Sequence, residues 1–356
     1  MQRLDRYIFQ TVAVTALIAL LVLVVLHSFF SLLGELDDLG QGSYDVATMF
    51  HYLLLTQPRR IGEVFPVALL VGGLLGMGGL AASSELVVMR AAGCSVWRLV
   101  WAALQAGLLL GLVALLIGEF IAPPLERMAH QLRSSARYNT VAVPAGQGFW
   151  ARDGAYFISV QAVLPGPRLV DVYLYETGTQ TELKTILWAH QASYSAADRR
   201  WVLEQVSRSS LSAERVLTEQ IARLPLALAI SPAMLEVLAT DPKDLSLREL
   251  HTFIDYLQNN RLDARSYQLN FWVKAVTPLT SLAMLFIAMP FVFGSQRAAG
   301  TGQRLMIGVC LGLLFFLLNR LLSNLVLLYG YPPLLGALSP SALFFAAGAY
   351  GLQRVR

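Results

Sequence analysis

With 356 residues, 56% of them hydrophobic and only 14% charged, and a mean hydropathy of +0.55, the chain is too apolar for a water-soluble globular domain of its length. The net charge of +4 is carried almost wholly by arginine, since lysine occurs only at 184, 243 and 274; so small an excess does not argue for nucleic acid and bears instead on membrane orientation. The two cysteines, Cys94 and Cys310, provide no disulfide framework.

A hydrocarbon core of about 30 Å takes roughly 20 apolar residues per helix. Six runs satisfy this: 8–33, 61–82, 99–122, 269–293, 305–328 and 333–352. The first exceeds the apolar core of a cleaved signal peptide and lacks a small-x-small exit, which predicts a retained span. Arg3, Arg6, Arg90, Arg98, Arg297, Arg304, Arg354 and Arg356 fall on one side if both termini are cytoplasmic, as the positive-inside rule requires. The loop after the first run is then an outer loop, with Glu35, Asp37, Asp38 and Asp45.

Between the second and third runs lies Ser84-Glu85-Leu86-Val87-Val88-Met89-Arg90-Ala91-Ala92-Gly93, a short amphipathic segment on the predicted cytoplasmic side. A charged connecting loop is the plain alternative; a helix there offers Glu85, Leu86, Met89 and Arg90 to a soluble partner. The pairs Gly72/Gly76, Gly107/Gly111 and Gly308/Gly312 have the small-x-x-x-small spacing that lets helix backbones approach closely.

From about 140 to 240 the apolar period changes from helix to strand. Asp153-Gly154 between Phe149–Arg152 and Tyr156–Val160 is a hairpin signal, because a tight primed turn needs positive φ. Further strands at 169–175, 185–194 and 201–206, separated by turn residues, predict an antiparallel sandwich or jelly roll on the outer side. Ser246 and Glu249 then form an S-x-x-E capping box ahead of an amphipathic helix with Leu247, Leu250, Ile254 and Leu257 on one face.

No phosphate loop is present: Lys184-Thr185 follows Leu183 rather than glycine. The five histidines have no metal-ligand spacing, and His27, inside an apolar run, reads as a hydrogen-bonded helix residue rather than a proton relay. No catalytic, metal or cofactor site is therefore expected. Candidate binding groups are basic: Arg59 and Arg60 at the outer entry of the second run, and Arg127, His130, Arg133 and Arg137 on one helical face beyond Pro123-Pro124. Snorkelling explains such residues in general; guanidinium also suits phosphate through paired hydrogen bonds. Each contact at about 4 Å gains roughly 4 kcal/mol of gross Coulomb energy at a dielectric near 20, much of it removed by desolvation. Arg320, inside the fifth run, needs compensation because a cation costs at least about 2.5–3.5 kcal/mol at the bilayer centre.

Leu4-Asp5-Arg6-Tyr7-Ile8, Gly40-Gln41-Gly42-Ser43-Tyr44-Asp45, Ser84–Met89 with Ala92-Gly93, Ile117-Gly118-Glu119, Tyr267-Gln268-Leu269-Asn270 and Tyr329-Gly330-Tyr331-Pro332-Pro333 together resemble the LptF/LptG permeases of the lipopolysaccharide-export ABC transporter. The resemblance implies a six-span permease of the bacterial inner membrane with a periplasmic β-jellyroll. It implies pairing with the sister permease LptF, a cytoplasmic LptB ATPase dimer that binds the ATP, and delivery of lipopolysaccharide to LptC and the periplasmic bridge. Glu85 matches the acidic position of the family's coupling helix and Arg59 a basic position; Arg320 rests on its intramembrane charge alone. Some relatives carry lysine near the outer end of the first span. This chain has Ser31, Asp37 and Asp38 there, which argues against a substrate-binding role for that segment.

The expected architecture is an α-helical integral membrane protein with six transmembrane helices and an inserted all-β periplasmic domain. Residues 1–139 hold spans one to three with the coupling helix near 84–97, 140–243 the β-jellyroll, and 244–356 the amphipathic helix and spans four to six. ATPase coupling is assigned to Glu85, Leu86, Met89 and Arg90, and lipid binding to Arg59, Arg60, Arg133, Arg137 and Arg320. Two rival readings are a mechanotransmitting ABC permease, which usually has four spans, and a membrane sensor or scaffold with an outer ligand domain.

Overall fold

Each apolar run folds as one long helix in the computed structural model, which describes residues 3–138, 149–154, 156–164, 168–177, 183–195, 198, 200–211, 215–228, 241–260, 262–294 and 300–354. In chain order the helices are α1 (Arg3–Glu35), α2 (Val46–Leu55), α3 (Gln57–Ala82), α4 (Glu85–Ala91), α5 (Val96–Leu116), α6 (Ala122–Tyr138), α7 (Leu247–Asn259), α8 (Arg265–Phe293), α9 (Thr301–Tyr329) and α10 (Pro333–Gln353). Six of the helical segments are long and apolar enough to cross a membrane. Helix α2, apolar but short, lies in what the sequence reads as a loop. Between α5 and α6 a π-turn at Ile117–Ile121 carries the helix into Pro123-Pro124, widening the turn where proline offers no N–H.

The chain divides into two compact units. The first comprises Met1–Gly34, Leu53–Glu126 and Arg265–Arg356. At its centre α3 and α8 are mostly buried, and Leu70, Leu74, Met77, Leu99, Met284, Leu285 and Met289 form its core. The glycine pairs pack as their spacing predicts. A Cβ at Gly72 would run into the backbone of Ala16 on α1, while Gly107 meets Leu285 and Gly308 meets Val71 and Leu74. Thr15 donates its hydroxyl to the Gly72 carbonyl at 2.8 Å, sealing that crossing. Helix α1 buries Ile8, Val12, Ala16 and Ala19 and exposes Val14, Leu17, Leu21 and Val25. Helix α9 likewise exposes Met306, Val309, Leu313 and Leu317. Such bare apolar faces belong against lipid or another helix.

The second unit comprises Glu35–Tyr52 and Arg127–Ala264. Its six strands are β1 (Phe149–Asp153), β2 (Tyr156–Leu164), β3 (Arg168–Thr177), β4 (Leu183–Ser195), β5 (Arg200–Leu211) and β6 (Val216–Leu226). They form one antiparallel sheet in sequence order, so the expected inserted all-β domain is present, and its described strands run as a meander. Asp153 pairs Tyr156 across the predicted hairpin, with Gly154 at φ +57°. Asp171 and Gln205 take left-handed backbone, φ 51° and 53°, opposite His190, where the ladder is interrupted; the bend lets one face curve over Ile158, Val160, Leu174, Leu187, Trp201 and Val206. Burying each of these is worth about 1.5–3 kcal/mol. Strand β6 has no counterpart among the predicted strands: it is largely exposed and carries Pro225, both features of an edge strand.

The capping box forms as predicted. Ser246 Oγ accepts the Glu249 N–H at 3.2 Å, while Glu249 Oε2 accepts the Ser246 N–H at 2.9 Å. Burial, the largest influence on the Glu249 carboxyl, pushes its pKa up, but the Ser246 N–H, Arg127 and the Ser246 hydroxyl outweigh burial and hold it below the usual glutamate range. A folded pKa below the unfolded one means stability that is complete above the unfolded value of about 4.3 and lost as pH falls through the folded value. Hydrogen exchange of residues 247–259 is therefore expected to accelerate, relative to intrinsic rates, only as pH falls below about 4.3. Ser246→Ala should cost α7 about 1 kcal/mol; unchanged exchange protection in the variant would refute the cap's contribution.

Candidate functional site

Helix α4 is set off from α3 by Ser84, a non-glycine residue in the left-handed region at φ 61°. The sharp turn reverses the chain so that Leu86 points inward, 3% exposed, into the core cluster with Leu80, Ala81, Val292 and Phe293. Val87 and Val88 face outward, at 47% and 67% exposure, and Met89 and Arg90 are half-buried. Gly93, at φ +89°, ends the element, and the Gly93 and Cys94 N–H groups return to the Arg90 and Met89 carbonyls at 3.0 and 3.1 Å. A small cleft beside it is lined by Ala81, Leu86, Val87, Arg90, Val292 and Phe293.

The Glu85 carboxylate is held from two sides. Its Oε1 accepts the Ser83 hydroxyl at 2.8 Å and its Oε2 the Tyr7 hydroxyl at 2.9 Å. Nearby Asp5 pairs with Arg98 Nε at 3.2 Å. The start of α1 thus braces the loop on both sides of α4. Sequence reading brings Glu85, Leu86, Met89 and Arg90 to one helix but misses the contacts of Tyr7 and Asp5, whose only signal is the Leu4–Ile8 stretch, and reads Arg98 only as a cytoplasmic-side charge. The arrangement is an anchored two-turn element presenting a carboxylate beside an apolar patch, suited to docking rather than to covalent chemistry.

The basic candidates divide between the units. In the first, Arg59 Nε lies 3.4 Å from Glu126 and 3.8 Å from Glu63; Arg60 is 5% exposed. Arg320 stands on the exposed face of α9 and makes no hydrogen bond or ion pair among the described residues. In the second, each described basic side chain of α6 is matched to a carboxylate. Arg127 meets Glu249 at 2.7 Å and His130 meets Asp244 at 3.5 Å. Arg133 reaches Glu35 at 3.3 Å and hydrogen-bonds Asp38, with its guanidinium 5.2 Å above the Tyr52 ring. The Arg137 side chain lies outside the described residues.

The acidic loop after α1 is therefore the counterpart of a basic helix face. Tyr44, 1% exposed, donates its hydroxyl to Glu35 Oε2 at 3.1 Å; burial first, and then the Glu35 charge, hold its phenol above the ordinary range, keeping it a donor. Asp45 accepts the Thr48 hydroxyl at 2.6 Å and its N–H at 2.8 Å at the start of α2, and these bonds, the hydroxyl's foremost, hold its carboxyl below the usual range. In the sequence Asp37 and Asp38 mark a departure from a lysine-bearing segment; in the fold Asp38 is a partner of Arg133.

A family model described as "Lipopolysaccharide export system permease LptF/LptG" matches residues 6–354. Among curated proteins, the "Lipopolysaccharide export system permease protein LptG" of Escherichia coli (strain K12) is 36% identical over 352 residues, covering 99% of this chain and 98% of that protein. The protein of the same description from Haemophilus influenzae is 32% identical over 353 residues, covering 99% of each. With six apolar helices, an inserted antiparallel sheet and a match from the start of α1 to the end of α10, the chain belongs to the LptF/LptG family of lipopolysaccharide export permeases.

Proposed function

We propose that this chain is a permease subunit of an ABC transporter that extracts lipopolysaccharide from the outer leaflet of the inner membrane and passes it into its β domain. The observation that carries the reading is the family match over nearly the whole chain, joined to an α4 whose apolar anchor and half-buried carboxylate form a docking element. In this reading both termini are cytoplasmic and the sheet is periplasmic. ATP is bound and hydrolysed by a separate LptB dimer; LptF is the sister permease, and LptC with the periplasmic bridge takes the lipid onward. The bare apolar faces of α1 and α9 suit contact with a sister subunit, lipid or acyl chains.

Closure of the ATPase dimer moves α4 through Glu85, Met89 and Arg90, with buried Leu86 passing the movement to the core; the space enclosed with the sister permease narrows, and the lipid is driven toward the β domain. No covalent step occurs on this chain. Arg59, Arg60, Arg133, Arg137 and Arg320 are the proposed contacts for anionic headgroup. At Arg133 a phosphate competes with Glu35 and Asp38, so binding there is an exchange of anions rather than the filling of an empty cationic site.

Native mass spectrometry of the tagged chain in mild detergent tests this reading. An ATPase dimer, one sister permease and a lipopolysaccharide-sized mass are expected to remain bound. A lone chain or homo-oligomer with ordinary phospholipid, persisting across detergents, would overturn it.

A further inference from the structure

Helix α9 lies along α3 in a seam of close approaches. Gly312 faces Val67, Gly308 faces Val71 and Leu74, and Arg304 faces Gly78. The residues on α9 recur every four positions, the spacing of one ridge on a helix surface. The last contact differs in kind from the others. Arg304 is 7% exposed, and a Cβ at Gly78 would sit 2.8 Å from its Cδ and Nε and 3.1 Å from its Cζ. The outer half of the side chain lies against α3 at residue 78, where any Cβ would force it to shift.

Gly78 stands one turn before α3 ends at Ala82 and the chain swings through Ser84 into α4. The carbonyls of that last turn carry the negative end of the helix dipole, which favours a guanidinium beside them. On the other side of the same turn, Leu80 and Ala81 pack with Leu86 of α4. One turn of α3 therefore holds α4 through apolar contact and α9 through a buried arginine. An arginine at the cytoplasmic start of a span ordinarily faces water or headgroups; buried by protein instead, Arg304 has a role beyond setting orientation.

We infer that Arg304 is a positioning residue for transport: it locks α9 to the last turn of α3, so that a displacement of α4 is delivered to α9. The helix so driven carries the bare face of Met306, Val309, Leu313 and Leu317 and, about 24 Å further along at 1.5 Å per residue, Arg320. The inference rests on the permease reading above.

The test uses the full chain reconstituted with its sister permease and ATPase in proteoliposomes, with ATP hydrolysis and lipopolysaccharide released measured together. Arg304→Ala and Gly78→Ala are each expected to keep the ATPase bound and hydrolysing while lipid released per ATP falls by at least about five-fold. Gly78→Ala removes no charge and displaces only the outer half of the arginine, so it tests the interlock even if Arg304→Ala folds poorly. The double variant should be no worse than the poorer single, because both remove one contact. An unchanged ratio in Gly78→Ala, full recovery by Arg304→Lys, or losses that sum in the double variant would each overturn the inference; full recovery by lysine would reduce Arg304 to an orienting charge. Failure of the unaltered complex to release lipid would instead count against the permease reading itself.

Discussion

Glu85→Lys is expected to strip the ATPase from the purified complex and to lower ATP-driven lipid export by at least about ten-fold, a loss of about 1.4 kcal/mol or more in docking. The carboxylate is held ready by the hydroxyls of Tyr7 and Ser83, so little side-chain freedom is lost when a partner cation arrives. Reversing its charge replaces an attraction with a repulsion and leaves two hydroxyl donors facing an ammonium. Truncating one member of a hydrogen-bonded charge pair at an interface costs about 2–5 kcal/mol. Glu85→Ala should therefore act in the same direction, and Glu85→Gln, which keeps the acceptor oxygen, should lose less. Tyr7→Phe removes one of the two bonds to the carboxylate and should show the smallest defect of the series. Co-purification and export unchanged in Glu85→Lys would remove this residue from the coupling surface.

Arg133→Ala is expected to release the segment from Glu35 to Tyr52. It leaves Glu35, 9% exposed, and Asp38 without their shared guanidinium. Orphaning a fully buried ion pair costs about 3–5 kcal/mol; with the Arg133 side chain 28% exposed, roughly 2–3 kcal/mol is the fair expectation. Hydrogen exchange across residues 35–52 should rise correspondingly, and Tyr44, whose hydroxyl is donated to Glu35, should lose its burial. Lipid affinity separates the clamp from the headgroup contact. If phosphate competes with the carboxylates, Asp38→Ala should tighten lipopolysaccharide binding while Arg133→Ala weakens it. Titration by native mass spectrometry reads both, and weaker binding in Asp38→Ala would reject the competition.

The features legible from the chain alone are those specified by neighbours in sequence. Runs of about twenty apolar residues become helices whatever they pack against, because a backbone in hydrocarbon must satisfy its hydrogen bonds internally. Asp153-Gly154 makes its hairpin and Ser246 with Glu249 its cap within four residues. Strand β6 escapes because its apolar residues are irregularly spaced ahead of Leu224 and Leu226, and α2 because its ten residues are too few for a span and sit in an acidic loop.

The basic face of α6 was visible as helical spacing, and so was the amphipathic nature of α4. What those residues meet was not. Arg133 and Asp38 are 95 positions apart, Tyr7 and Glu85 are 78 apart, and Gly78 and Arg304 sit on different spans. By itself the amino-acid sequence determined the spans, the inserted strands, the caps and the charges available to each face, since these follow from local backbone chemistry and periodicity. The tertiary structure decided that Arg127 and Arg133 of α6 hold carboxylates, that Tyr7 steadies Glu85 and that a glycine makes room for Arg304. Those pairings depend on which helices lie side by side, and no local rule encodes that.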